Sequence, residues 1–143
     1  MANSTDPLSA CRTCACAALR HATRALTRHY ERHFRGTDLR ITQFTVLATL
    51  AQTGPCSISQ LSQILGLERT TLSRNMRLIE NKGWVAATAH DDQRVRQMAL
   101  TSKGRKKVAG ALPIWSRADA GAEKVLRRFG LQSRPSRPSL RVR

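Results

Sequence analysis

The chain has 143 residues, with 25 lysines and arginines against 9 acids and a formal net charge of +16. That length makes one domain with a modest core, and no apolar run is long enough to cross a bilayer. Charge this unbalanced calls for a polyanionic partner, nucleic acid first and an anionic membrane surface second. Aromatics are 4 % of residues, and there is no aromatic strand of the kind that stacks single-stranded bases, which favours duplex DNA. The N-terminal MANSTDPLS has neither a basic start nor an apolar h-region. The expectation is a soluble, cytoplasmic protein without membrane association, whose thiols are free, metal-bound or redox-active.

In chain order, residues 8–35 carry Ala15, Leu19, Ala22, Leu26, Tyr30 and Phe34 at steps of three and four, one face of a long helix closed by Gly36. A second helix follows Thr42, with Phe44, Val46, Leu47 and Leu50 apolar, and Gly54-Pro55 stops it. Ser57 and Gln60 fit a capping box at the head of a short third helix carrying Ile58, Leu61 and Ile64 or Leu65. Gly66 allows a tight turn. The next helix runs from about Glu68 to Asn81, with Leu72, Met76 and Ile79 inward and Lys82-Gly83 closing it. Two short helices about a glycine turn are the helix-turn-helix plan. The period then changes: WVAATAHD and QMALT predict two strands around the polar turn DDQRVR. Helix resumes near Ser102 and runs to about Phe129, with Pro113 expected to kink or split it. LQSRPSRPSLRVR has no acidic residue and no apolar face, and is expected to be a disordered basic tail over 131–143.

Opposite the apolar stripe of the helix at 68–81, Arg69, Thr70, Ser73, Arg74 and Arg77 share one face with no acid among them. Arginine pairs two-pronged with guanine, and Ser and Thr bond bases or phosphates, so this face suits a major groove. The competing reading is a solvated basic face. Arg94 and Arg96 alternate on the returning strand and point the same way; an arginine at a hairpin tip fits a narrow minor groove. Asp92 is placed to orient Arg94.

Helix, helix, helix-turn-helix and a hairpin of the form DDQRVRQMALTSKG resemble the MarR family of winged-helix transcriptional regulators. The stretch TQFTVLATLAQTGPCSISQLSQILGLERTTLSRNMRLIENKGWV is similar to that family's core, and D-x-R followed by LTxKG is similar to its wing. The resemblance covers roughly residues 10–130. It implies a mainly α fold with a small β-hairpin: a winged helix-turn-helix lobe over 42–101, with dimerisation helices at 8–35 and 102–129, all in one domain spanning 1–130. It further implies a homodimer on a pseudo-palindromic operator, usually a repressor released by a small ligand or by cysteine oxidation. The family pattern falls on Arg69, Thr70, Thr71, Ser73, Arg74 and Arg77 in the recognition helix and on Asp92 and Arg94 in the wing. Family members usually add a further dimer helix where this chain has its Arg-Pro-Ser tail.

Three of the four cysteines lie in CRTCAC. On a regular α-helix, about 100° per residue puts Cys14 roughly 60° from Cys11 and Cys16 nearly opposite Cys14, so one helix does not aim all three at one ion. Cys11 and Cys14 form C-x-x-C at an expected helix start beside Arg12, a setting that favours thiolate. Two readings stay open: a sensor of oxidants, electrophiles or a thiophilic metal or metalloid at Cys11, Cys14 and Cys16, and small residues packed where two first helices meet. Cys56 looks incidental. His29 and His33 share a helix face, as metal ligands can, but solvated or interface histidines are the simpler expectation. No cofactor is required, and no enzyme motif appears: no phosphate loop, no G-x-S-x-G, no H-E-x-x-H. The expected function is an effector-released, sequence-specific DNA-binding regulator. The alternatives are an architectural protein coating DNA without sequence preference and, more remotely, a thiol enzyme.

Overall fold

The computed structural model describes residues 7–89, 92 and 96–132. Among the described residues, five α-helices and three short strands follow in order: α1 (Ala15–Phe34), α2 (Ile41–Thr53), β1 (Cys56–Ser57), α3 (Ile58–Leu65), α4 (Arg69–Asn81), β2 (Val85–Thr88), β3 (Gln97–Leu100) and α5 (Ser102–Arg127). The fold is mainly α with a small antiparallel sheet, as expected.

The DNA-binding lobe forms where local signals agree. Ser57 caps α3: its Oγ accepts the Gln60 N–H at 3.2 Å, and the Ser57 N–H donates to Gln60 Oε1 at 2.9 Å. Gly66 ends α3 at φ +61°, a left-handed position that costs glycine nothing. Val46, Leu47, Leu61, Leu72 and Ile79 have no exposed surface, and Phe34, Leu50, Met76, Trp84 and Met98 are buried in the same core. Each such side chain contributes about 1.5–3 kcal/mol through burial. α1 and α5 pack together beside this lobe. His29 meets Ala118 and Gly121, while Phe34 reaches Trp115 through Phe44, so the two helices run antiparallel.

Several expectations are corrected. Residues Pro7–Thr13 form a 3₁₀ helix, and Cys14, at ψ 114°, separates it from α1. Proline, serine and threonine are poor helix formers, and no side chain caps α1 at Cys14, so the long helix over 8–35 begins only at Ala15. Leu19, placed on the packed face, is 54 % exposed because the α1–α5 contact does not reach it. Pro113 neither stops nor splits α5, which stays one helix because Val108, Ala111, Ala118, Ala122 and Val125 are buried on both sides of it. Cys56, expected to be incidental, pairs with Met98 as part of β1, an edge strand too short to register as a pattern, in a sheet ordered β1-β3-β2. His29 is buried, not solvated. The tail beyond residue 132 falls outside the described residues.

Candidate nucleic-acid interface

α4 presents two faces. Leu72, Met76 and Ile79 are buried, and Arg69, Thr70, Thr71, Ser73, Arg74 and Arg77 are all exposed. The turn before it is fixed by the Leu67 N–H bonding Ser62 O at 3.2 Å and Ser62 Oγ donating to Leu67 O at 2.5 Å. Among the described residues, Arg69, Arg74 and Arg77 have no ion-pair partner. Glu80, one turn beyond Arg77, is taken by Arg96, whose Nη2 lies 2.5 Å from Glu80 Oε1. Glu80 is therefore neutralised by the hairpin, and three guanidiniums remain available to an anion.

The hairpin is held from below. β2 pairs with β3 in the register Val85↔Leu100 to Thr88↔Gln97, and β1 joins β3 through Cys56↔Met98. At its base the Thr101 N–H bonds Trp84 O at 3.1 Å, and Thr101 Oγ1 donates to Gly83 O at 2.6 Å. Gly104 lies directly against the Trp84 carbonyl: a Cβ there would sit 1.8 Å from that oxygen. This gives the LTxKG stretch a physical reason, since any side chain at its glycine would drive α5 off the hairpin. Asp92 is exposed, and Arg94 lies outside the described residues. Arg96, expected beside Arg94 as a DNA contact, ties the hairpin to α4 instead of standing free.

The C-terminal end of α4 is clamped as well. Lys82 Nζ donates to Asp38 O, Lys107 Nζ pairs with Asp38 Oδ1, and both lysines sit over the Trp84 ring at 4.5 and 5.0 Å. The Lys107 hydrogen bond holds the Asp38 carboxyl below its ordinary range. Glu80 and this clamp were missed in the sequence, because each joins residues far apart in the chain.

Cys11, Cys14 and Cys16 are exposed and Cys56 is buried. Cys11 lies in the 3₁₀ segment, and the Cys14 N–H bonds the Cys11 carbonyl at 3.2 Å. The 3₁₀ segment ends at Thr13 and α1 starts at Ala15, so Cys11, Cys14 and Cys16 do not share one regular helix. Among the described residues, no three His, Cys, Asp or Glu side chains converge as a metal-binding group. His29 Nε2 lies 2.7 Å from Ala118 O, and His33 Nδ1 lies 2.9 Å from His29 O; carbonyls only accept, so each of those nitrogens carries a proton. Tyr30 donates to Asp119 Oδ1 at 2.6 Å, and burial with that bond pushes its phenol well above its ordinary value.

A helix-turn-helix whose second helix bears an unpaired basic face, followed by a braced β-hairpin, defines a winged-helix DNA-binding protein. The MarR family model matches residues 39–95, and the chain is 35 % identical to the transcriptional regulator MosR of M. tuberculosis in its complex with DNA. That match has a TM-score of 0.67 and covers 82 % of this chain and 91 % of MosR. The chain belongs to the MarR family of transcriptional regulators. BpsR of Bordetella bronchiseptica, whose structure concerns regulation of DNA binding by 6-hydroxynicotinic acid, shares the fold at 19 % identity and a TM-score of 0.72, covering 80 % of this chain and 82 % of BpsR. The uncharacterised HTH-type regulator YwoH of Bacillus subtilis (strain 168) is 31 % identical over 65 residues, which are 46 % of this chain and about half (47 %) of that protein. Among the described residues, no helix is long and apolar enough to cross a membrane.

Proposed function

We propose that this regulator binds a pseudo-palindromic operator as a homodimer, with α4 in the major groove and the hairpin beside it, and represses until a thiol-reactive effector releases it. The observation that carries the reading is the exposed face of Arg69, Thr70, Ser73, Arg74 and Arg77, whose neighbouring acid Glu80 is paired with Arg96, opposite a fully buried stripe. Thr71 lies at the edge of that face. Asp92 and Arg94 supply the wing contact, and Arg96 sets its angle through Glu80. Dimerisation would use the end of the molecule where α1 starts and α5 finishes. Leu8, Leu19 and Phe129 are exposed there at 69, 54 and 36 %, and apolar surface of that kind marks an interaction site.

Cys11, Cys14 and Cys16 lie at the same end. A disulfide, an adduct or a bound thiophilic metal at that end would change how two copies meet. Half-sites about 34 Å apart tolerate little change in recognition-helix spacing. The test is footprinting on the intergenic DNA beside its gene, with and without oxidant or a thiol-binding metal. Protection of a discrete two-fold site, lost on treatment in the wild type and kept in Cys11→Ser/Cys14→Ser, is expected. Uniform protection of all DNA would establish the architectural alternative, and an unaltered response of the double variant would place the effector elsewhere.

A further inference from the structure

The outer face of α1 is a ridge of arginines that the groove-reading site does not use. Arg20, Arg24, Arg28 and Arg32 follow each other at four-residue steps and are all exposed. They rise about 6 Å per step over about 18 Å and lie within roughly 120° of arc. That arc is centred about 180° from the mean direction of Ala22, Leu26, His29, Tyr30 and Phe34, the side facing α5 and the core. Arg35, the C-cap residue, is exposed just beyond. Among the described residues none of the five has an ion-pair or hydrogen-bond partner. The only acid on the helix, Glu31, accepts the Ile41 N–H at 3.0 Å and lies 3.9 Å from Arg40 instead. At its C-terminal end the ridge opens into a concavity of about 640 Å³ where Arg28, Arg32, Arg35, Arg40 and Lys82 outnumber the acids Glu31 and Asp38.

We propose that this ridge binds the phosphate backbone of a second DNA duplex, so that a protein seated on one duplex through α4 captures another. Charge decides the class of partner. Closely spaced cations suit phosphates, which are held by charge alone; Leu19 and Cys16 flank only the N-terminal end of the ridge, beside Arg20 and Arg24. A membrane-lying helix would need its apolar face free to insert, but that face of α1 is packed on α5. A protein interface would bring large apolar residues into its centre, and between Arg20 and Arg32 this arc holds only His21 and Glu31 besides the arginines. A duplex on α4 does not already satisfy the ridge. Lys82, where the concavity ends, caps α4 about 8 Å along the axis from Arg77 and about 20 Å from Arg69, and Arg20 lies about 18 Å along α1 from Arg32 at the concavity. Charges are screened over about 8 Å at physiological salt.

The test mixes the full-length protein with donor- and acceptor-labelled duplexes and reads energy transfer between them, beside the affinity for a single duplex. Wild type should bridge. Arg20→Gln/Arg24→Gln/Arg28→Gln/Arg32→Gln should lose second-duplex capture about tenfold or more, with a salt slope shallower by about 3 and single-duplex affinity nearly unchanged. Arg-to-Lys changes at the same four positions should restore bridging, and Arg20→Gln/Arg24→Gln covers a fourfold variant that does not fold. Bridging by the glutamine variants equal to wild type would overturn the proposal, as would a parallel loss of single-duplex affinity. Capture of anionic vesicles by a wild-type protein that takes only one duplex would overturn it too.

Discussion

Gly104→Ala should be among the most damaging single-methyl changes in this protein. The new Cβ would sit 1.8 Å from the Trp84 carbonyl oxygen and 2.7 Å from its carbon. Backbone, not a flexible side-chain end, would have to yield, by about 1.6 Å to reach ordinary contact. Trp84 is buried beneath Lys82 and Lys107 and accepts the Thr101 N–H, so opening this junction breaks that bond and loosens the hairpin. Overpacking costs about 1–3 kcal/mol and the lost hydrogen bond about 1, while replacing a helical glycine by alanine returns up to about 1. The net loss is about 1–4 kcal/mol, or roughly 3–16 °C in Tm for a domain of this size. Gly110→Ala is the internal control: on the same helix, with nothing within 4 Å of the added atom, it should gain about 0.5–1 kcal/mol. Thermal unfolding followed by circular dichroism compares the two. Equal stability of Gly104→Ala and wild type would show that α5 does not seat against Trp84 this closely.

Other substitutions probe the remaining links. Ser57→Ala should cost about 1 kcal/mol in urea unfolding by removing the α3 cap; no loss would mean the α3 capping box is idle. Glu80→Gln should free Arg96 and weaken operator binding while leaving Tm within about 1 °C, since an exposed pair adds little stability; unchanged binding would show that the hairpin needs no brace. Asp38→Asn removes a carboxyl whose folded pKa is lowered by Lys107. The stability it contributes is present above the unfolded value near pH 4 and is lost as pH falls through the lower folded value. Wild type should therefore exceed the variant by at most about 1 kcal/mol at pH 7 and by progressively less below pH 4; a gap that widens in acid would contradict the assignment.

The DNA-binding lobe was legible because its signals are local. The capping box at Ser57, the glycine at 66 and the spacing of Leu72, Met76 and Ile79 each need only a few consecutive residues to specify. Features that depend on distant partners were not. The pairing of β1 with β3 makes Cys56 a strand residue, the carbonyl of Ala118 makes His29 a core residue, and packing along 26 residues of α5 keeps Pro113 inside a helix. The basic face of α4 could be read as a helical wheel, but the Arg96–Glu80 pair spans 16 positions and joins a strand to a helix. The arginine ridge on α1 was present in the sequence at fourfold spacing. What was missing was which face of α1 the core would take.

The central claim is that α4 reads base sequence, and Arg74→Ala tests it most directly. Arg74 is exposed on α4 and has no ion-pair partner among the described residues, so its loss should leave the fold intact. The measurement is fluorescence anisotropy at fixed physiological salt, titrating wild type and variant onto the footprinted operator and onto a scrambled duplex of equal length. The account predicts that the variant loses about 1–3 kcal/mol on the operator and much less on scrambled DNA, so that the ratio of the two affinities falls. An unchanged ratio, with both affinities equal or lowered alike, would mean that α4 contributes charge and not readout.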